Sequence, residues 1–296
     1  TSSTPQVVDL NGDGHQDVLS GSYSRTDGPM AGLFQILWGG PNGEFQAAEP
    51  LVGTDGEPLI IPIEGRSAQT ENICTRPTAI DWDSDGDLDL VVGNFAGSFY
   101  LFTGLGNGKF EPLPQPIMSG DEPLRISGVH SDPFLIDWDG DGDIDILSGS
   151  GSGGVQWSEN TARVGKPPQL SGFQTLIDAG AQLPYNTPTN EKNLTGPASS
   201  TRIWADDVNN DGKLDLLVGD SVNLISIAEG LTLEQFEQKH TEWQKAVRAA
   251  SAAMNSVSDD QEKLQEALKR IQSLYASKAD FMTEERTGFV WLYLQK

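Results

Sequence analysis

A nine-residue frame recurs four times in this chain, and it constrains the fold more than any other feature of the sequence. In Asp137-Trp138-Asp139-Gly140-Asp141-Gly142-Asp143-Ile144-Asp145, carboxylates stand at positions 1, 3, 5 and 9 with glycine at position 6. The same frame returns as Asp9, Asn11, Asp13, Gly14, Asp17; as Asp81, Asp83, Asp85, Gly86, Asp89; and as Asp207, Asn209, Asp211, Gly212, Asp215. Alternate side chains of a tight turn point to one side, and the glycine lets the backbone bend sharply. Carboxylates gathered this closely repel one another unless a hard, oxygen-seeking cation sits among them, which points to calcium.

Calcium loops between helices also begin D-x-D-x-D-G, but they need a glutamate at position 12 and helical flanks. Position 12 here is Ser20, Val92, Ser148 or Val218, and each loop runs directly into an apolar, β-branched segment such as Leu88 to Val92. The loops therefore join strands. On these residues the chain resembles the FG-GAP/VCBS repeat family, the β-propeller blades of integrin α-subunit heads and of secreted bacterial proteins, over roughly residues 1–225 and 287–296. The resemblance implies one calcium ion per loop, about four in all, held by side chains at positions 1, 3, 5 and 9 and by the backbone carbonyl at position 7. Position 7 is His15, Asp87, Asp143 or Lys213.

The frames begin at residues 9, 81, 137 and 207, spacings of 72, 56 and 70. Several strands per unit at such a period predict a propeller, not a sandwich. In the first unit, strands are expected at Pro5 to Asp9, Asp17 to Tyr23 and Leu33 to Trp38, with a fourth from Phe45 to Val52; the second unit repeats the order from Pro77. Asn42-Gly43 and Asn107-Gly108 supply the positive φ angles of tight hairpin turns. A second echo, Glu49-Pro50-Leu51 with Glu57-Pro58-Leu59 and Gln115-Pro116-Ile117 with Glu122-Pro123-Leu124, reads as an outer strand and its return; Thr175-Leu176-Ile177 with Ala181-Gln182-Leu183 is a looser copy. Ile63 to Arg76 and Tyr185 to Ser200 read as polar surface connections. Five tryptophans, Trp38, Trp82, Trp138, Trp157 and Trp291, fall where they would fill the wedge between neighbouring units.

The fourth unit is interrupted. Beyond Val222 to Ile227, apolar or tolerated residues fall at Leu233, Phe236, His240, Trp243, Val247, Ala250 and Met254, a stripe in steps of three and four. Thr232 with Gln235 reads as a capping box; Ser258 with Gln261 opens a second helix through Leu264, Leu268, Ile271, Tyr275 and Met282. The short link Asn255-Ser256-Val257 makes the pair an antiparallel hairpin with helices of about 24 residues, roughly 36 Å long. The strand pattern resumes at Gly288 to Leu294. The expected architecture is thus all-β: propeller blades over residues 1–228, a helical hairpin over 229–286 and a returning strand over 287–296. The ring closes either from these four blades or with a fifth that is lost or degenerate.

The formal charge of −24 disfavours nucleic acid and anionic membranes, which are polyanions. Residues 231–286 hold ten acids and eight bases, net −2, so the rest of the chain carries −22. Cys74 is the single cysteine, which leaves no disulfide framework, and no apolar run approaches the ~20 residues of a membrane span. Calcium loops fill where calcium is abundant, so the chain reads as a mature exported protein found outside the cell, in a periplasm or at a cell surface. Of its three histidines, His240 lies on the helical stripe and reads as a packed residue. No nucleophile elbow or nucleotide-binding loop is present.

Two functional classes follow. One is a non-catalytic binding, adhesion or assembly module for protein or glycan, with the protruding hairpin inviting a partner helix; its oligomeric state is open. The other is a calcium-dependent polysaccharide-degrading enzyme of the lyase type. That would need a basic residue beside a tyrosine near a uronate, yet the expected propeller has eleven Lys and Arg (19 minus 8) against 33 acids (43 minus 10).

Overall fold

The structure, a computed structural model, describes residues 5–25, 30–62, 70–162, 165–181, 187–256 and 261–296. Expectations at Val257, Ser258, Gln182 and Leu183, and for parts of the connections after Ile63 and from Tyr185, lie outside these residues. The chain is mostly β, in small antiparallel sheets with two helices, and divides into two compact units: Thr1–Gly180, Gly196–Asp220 and Phe289–Lys296 in one, Ala181–Thr195 and Ser221–Gly288 in the other.

In the first unit each acidic frame forms the turn between the first two strands of a sheet. The first sheet runs β1 (Gln6–Val8), β2 (Asp17–Gly21), β3 (Phe34–Leu37), β4 (Glu49–Pro50), and the second β5 (Arg76–Ile80), β6 (Asp89–Gly93), β7 (Phe99–Phe102), β8 (Gln115–Pro116). A small ribbon follows, β9 (Met118–Ser119) with β10 (Glu122–Pro123), which is the expected return of the outer strand. The third sheet is β11 (Asp132–Ile136), β12 (Asp145–Gly149), β13 (Val155–Ser158), β14 (Gln174–Ile177). The fourth has three strands: β15 (Arg202–Asp206), β16 (Asp215–Gly219), and β19 (Val290–Tyr293), which pairs Leu217 with Leu292.

Strand alternation fixes how these sheets meet. Position 10 of the frame (Val18, Leu90, Ile146, Leu216) points to the opposite face from position 11 (Leu19, Val91, Leu147, Leu217). Leu19 of the first sheet shares a buried cluster with Leu90 of the second; Val91 of the second shares one with Ile146 of the third; Leu147 of the third shares one with Leu216 of the fourth. Strands β6 and β12 are therefore apolar on both faces and buried along their whole length. The tryptophans do fill these interlayers: Trp82 and Trp138 are buried in the second and third clusters, while Trp38, Trp157 and Trp291 pack against the first and third.

A repeated backbone stitch joins consecutive sheets at the other end of the strands. The N–H groups of Ser22, Asn94 and Ser150 donate to the hydroxyls of Thr75, Ser131 and Thr201 at 3.2, 2.8 and 2.7 Å. The N–H groups of Thr75, Ser131 and Thr201 donate back to the carbonyls of Ser22, Asn94 and Ser150, each at 3.0 Å. The preceding residue is glycine each time because nothing else fits: a Cβ on Gly21, Gly93 or Gly149 would lie 1.9, 2.5 or 2.2 Å from the next sheet's Thr75, Ser131 or Thr201 carbonyl oxygen.

The second unit is built on a ribbon, β17 (Val222–Ile227) antiparallel to β18 (Met282–Thr287), with Thr189 bridging Ile225 on the other side. Helix α1 spans Leu233–Ser256 and α2 Gln261–Ala276, followed by a 3-10 turn at Ser277–Asp280. The capping box forms as read: the Gln235 N–H donates to Thr232 Oγ1 at 3.2 Å and the Thr232 N–H to Gln235 Oε1 at 2.9 Å. Trp243 Nε1 donates to the Leu274 carbonyl at 2.7 Å, so the middle of α1 meets the end of α2 and the helices run antiparallel. The expectation that α2 continues through Met282 fails. At 16 residues it is about 24 Å long, and Met282 opens a strand instead. Met282 is buried against Ile225, Phe236 and Trp243, which its heptad position could not distinguish from a helical contact.

His240 is buried between the rings of Phe236 (5.7 Å), Trp243 (5.8 Å) and Phe281 (6.1 Å). Burial, reinforced by Lys278 against the weaker opposite pull of Glu284, lowers its pKa below the ordinary 6.5.

Two outcomes test this packing. Gly149→Ala should cost about 1–3 kcal/mol in urea unfolding through overpacking, whereas Gly172→Ala, where a Cβ meets nothing within 4 Å, should be near neutral. Because folded His240 binds its proton more weakly than the unfolded chain does, its contribution is intact above pH 6.5 and is lost as pH falls below it. Thermal unfolding between pH 7.5 and 5.5 should therefore show a larger loss for the wild type than for His240→Gln.

Candidate metal centre

Each loop is wound by its own carboxylates. Position 1 takes the N–H groups of positions 5 and 6 in three of the loops: Asp9 from Asp13 (3.1 Å) and Gly14 (2.9 Å), Asp81 from Asp85 (3.0 Å) and Gly86 (3.2 Å), Asp207 from Asp211 (3.0 Å) and Gly212 (2.9 Å). In the third loop Asp137 takes Gly140 (2.8 Å) and Gly142 (3.0 Å). Position 3 accepts from the amide of position 5, and position 5 from that of position 7. The backbone at position 6 has φ of +87°, +97°, +96° and +86°, which only glycine adopts without strain.

This winding turns positions 1, 3 and 5 toward a common point. In the second and third loops, ligand oxygens of Asp81, Asp83 and Asp85, and of Asp137, Asp139 and Asp141, lie within 4.8 Å of one another. In the first and fourth loops the middle group is an amide: Asn11 Nδ2 donates to Asp13 and Asn209 Nδ2 to Asp211, each at 3.1 Å. These two loops thus carry one fewer negative charge at positions 1, 3 and 5.

Position 9 stands apart. Asp17, Asp89, Asp145 and Asp215 are buried, and each spends both oxygens on backbone amides. One oxygen takes the N–H of position 2: Leu10 (2.9 Å), Trp82 (3.0 Å), Trp138 (3.1 Å), Val208 (3.2 Å). The other takes an N–H just beyond the third strand: Gly39 (2.8 Å), Gly104 (2.7 Å), Asn160 (2.7 Å), Gln295 (3.0 Å). Burial raises the pKa values of Asp89 and Asp145 in spite of these bonds.

Position 7 separates the loops by side chain. His15 is half-buried, Asp87 is half-buried, and Lys213 is exposed. Asp143 differs from all three: both its carboxylate oxygens are shut off from water without a hydrogen bond. Burial, followed by Asp141, Asp145, Asp139 and Asp137, pushes its pKa up to about 6. A buried carboxylate with no donor, surrounded by four others, is an environment that a divalent cation would relieve, so the acidic clusters fit a metal.

Two charged groups escaped the sequence reading. Arg76, buried at the start of β5, faces Asp132 at the start of β11 (3.6 Å), which also pairs with Arg202 of β15 (3.3 Å). Elsewhere the Tyr100 hydroxyl donates to Glu71, which also pairs with Arg125. This places an arginine near a tyrosine, the feature a lyase would need. Burial, then the bond and charge of Glu71, raises the Tyr100 pKa, the wrong direction for a proton-abstracting base. Burial also acts to raise Glu71, but its bonds to Tyr100 and Arg125 prevail and its pKa is lowered.

Since two buried amides depend on each position-9 carboxylate, Asp145→Ala should destabilise the chain by about 2–4 kcal/mol. Urea unfolding in excess chelator should give the same loss; a loss that vanished in chelator would assign Asp145 to metal binding alone.

Comparison with curated proteins finds no match. Among the described residues no helix is long and apolar enough to cross a membrane. Residues 81–148 match the FG-GAP-like repeat family. The matched stretch opens on Asp81 of the second frame and ends at Ser148 in the strand after the third. The matched segment holds the two all-aspartate loops.

Proposed function

We propose that the first unit is an exported calcium-binding β-propeller module that works without catalysis, as a binding, adhesion or assembly component for a protein or glycan. The observation that carries this reading is the convergence of positions 1, 3 and 5 in the loops of the second and third sheets, both within the stretch that matches the FG-GAP-like repeat family. Positions 1, 3 and 5 of each loop would hold one ion, with position 9 contributing a remaining lone pair and position 7 its carbonyl. Four such ions would offset +8 of the −24, leaving −16, and would replace repulsion among neighbouring carboxylates by attraction to a shared cation. Sites of this hardness fill where calcium is plentiful, which supports placement outside the cytoplasm.

The helical hairpin supplies a surface for the protein partner. Leu233, Leu268 and Tyr275 are about half exposed on it, and α2 has no buried residue. A polysaccharide lyase remains the second reading because Tyr100 and Arg125 share Glu71; the raised tyrosine pKa and the acidic excess weigh against it.

Thermal unfolding with millimolar calcium and with excess chelator tests the metal reading. Calcium at about 100 times its dissociation constant stabilises by about 2.7 kcal/mol per site, so a melting temperature several degrees higher in calcium is expected. Asp139→Ala with Asp141→Ala should remove part of that shift. Equal melting temperatures in calcium and chelator would refute it.

A further inference from the structure

We propose that the Asp143 carboxylate is itself a ligand of the ion in the third loop and makes that loop the tightest cation site of the chain. This rests on the calcium reading of the loops. It adds that position 7, which in the other loops would serve through its carbonyl alone, here contributes a side chain as well.

Lys213 is cationic and cannot hold a cation, and the His15 ring offers nitrogen where calcium takes oxygen. That leaves Asp87 and Asp143, which stand in frames with aspartate at all of positions 1, 3, 5 and 9, so the second loop is an internal control for the third. Asp87 lies against the turn beyond β7: a Cβ on Gly106 would stand 2.6 Å from its Oδ1. The Asn160 N–H meets Asp145 as the Gly104 N–H meets Asp89, so the place of Gly106 falls in the third sheet to Ala162, which carries the Cβ that Gly106 lacks. Asp143 has both oxygens shut off from water with no hydrogen bond, and the charges of Asp137, Asp139, Asp141 and Asp145 all act on it. One sequence difference in a neighbouring turn thus accompanies two different settings of the same carboxylate.

An ionised carboxylate without a donor, held among four like charges, is costly, and a hard cation within its reach removes the cost. With Asp143 the third loop brings five carboxylates to its ion, −5. The second brings four, −4, with Asp87 against its own turn; the first brings Asp9, Asp13 and Asp17, −3; the fourth brings Asp207, Asp211 and Asp215 beside Lys213, −3 + 1 = −2. In calcium loops the number of charged ligands tunes the affinity, so the third loop should fill first and empty last.

Calcium titration of the whole chain against a competing chelator tests this. Asp143→Asn should weaken the tightest binding step by about 10–100-fold, and Asp87→Asn should leave that step unchanged. Terbium, an oxygen-seeking ion that luminesces when a nearby tryptophan is excited, assigns the step to a loop, because Trp138 and Trp82 stand at position 2 of the third and second frames. Emission at one equivalent should be lost in Trp138→Phe and kept in Trp82→Phe. Melting separates a ligand from a residue that only supports the fold: Asp143→Asn should melt above the wild type in excess chelator, where a repelled charge has been removed, and below it in calcium. A wild type whose melting ignores calcium would remove the calcium reading and this inference with it. A wild type that binds calcium with a tightest step untouched by Asp143→Asn would overturn the role of Asp143 alone. So would first-equivalent emission that depends on Trp82, or a variant that melts below the wild type by the same margin in both media.

Discussion

The buried aspartate at frame position 9 is the constraint on which each sheet of the first unit depends. It is the one acidic position buried in all four frames, and it binds two amides that belong to different parts of the chain. A carboxylate accepting two backbone N–H bonds is a charge-assisted knot, stronger than a neutral pair. Without it, two buried donors would face apolar surroundings at the point where the acidic turn meets the third strand. The turn can then be strained and highly charged, because its far end is anchored by the same kind of group that makes it charged.

From that anchor the order of the sheets follows. Once position 9 is fixed, positions 10 and 11 must point to opposite faces, so each sheet is committed to one neighbour on each side. Glycine at position 13 lets the following sheet approach closely, and a serine or threonine just before each next first strand closes the contact from its own side. Local turn chemistry and long-range packing therefore specify the same arrangement, the consistency that gives a sequence a single favoured fold.

Much of this was legible because the frame is periodic. The acidic turns, the strand after each, the paired outer segments, the capping box and the interlayer tryptophans all sit where spacing puts them. Two features were hidden for different reasons. The ribbon β17-β18 was missed at its second strand: Met-Thr-Glu-Glu-Arg-Thr is mostly exposed and charged, and Met282 falls on the helical stripe, so period alone favoured helix. Thr75, Ser131 and Thr201 were legible in principle, each six residues before its frame, but a hydroxyl at a strand entrance has no distinctive signal until its partner is known. The hydrogen bonding of position 9 was likewise invisible, since a metal ligand and a hydrogen-bond acceptor require the same residue type.

The fourth sheet closes across a long gap. Gly219 pairs with Val290, and Asp215 binds the amide of Gln295, 80 residues away, whereas the other three position-9 aspartates reach only 15 to 22 residues. A chain emerging from the ribosome at about 5–20 residues per second would leave the free edge of β16 waiting roughly 4–14 seconds for its partner strand. Through that interval an apolar strand with unpaired amides is open to any other strand. The ribbon β17-β18 pairs Val222 with Thr287, so once the excursion has folded on its own local contacts its two ends are held side by side.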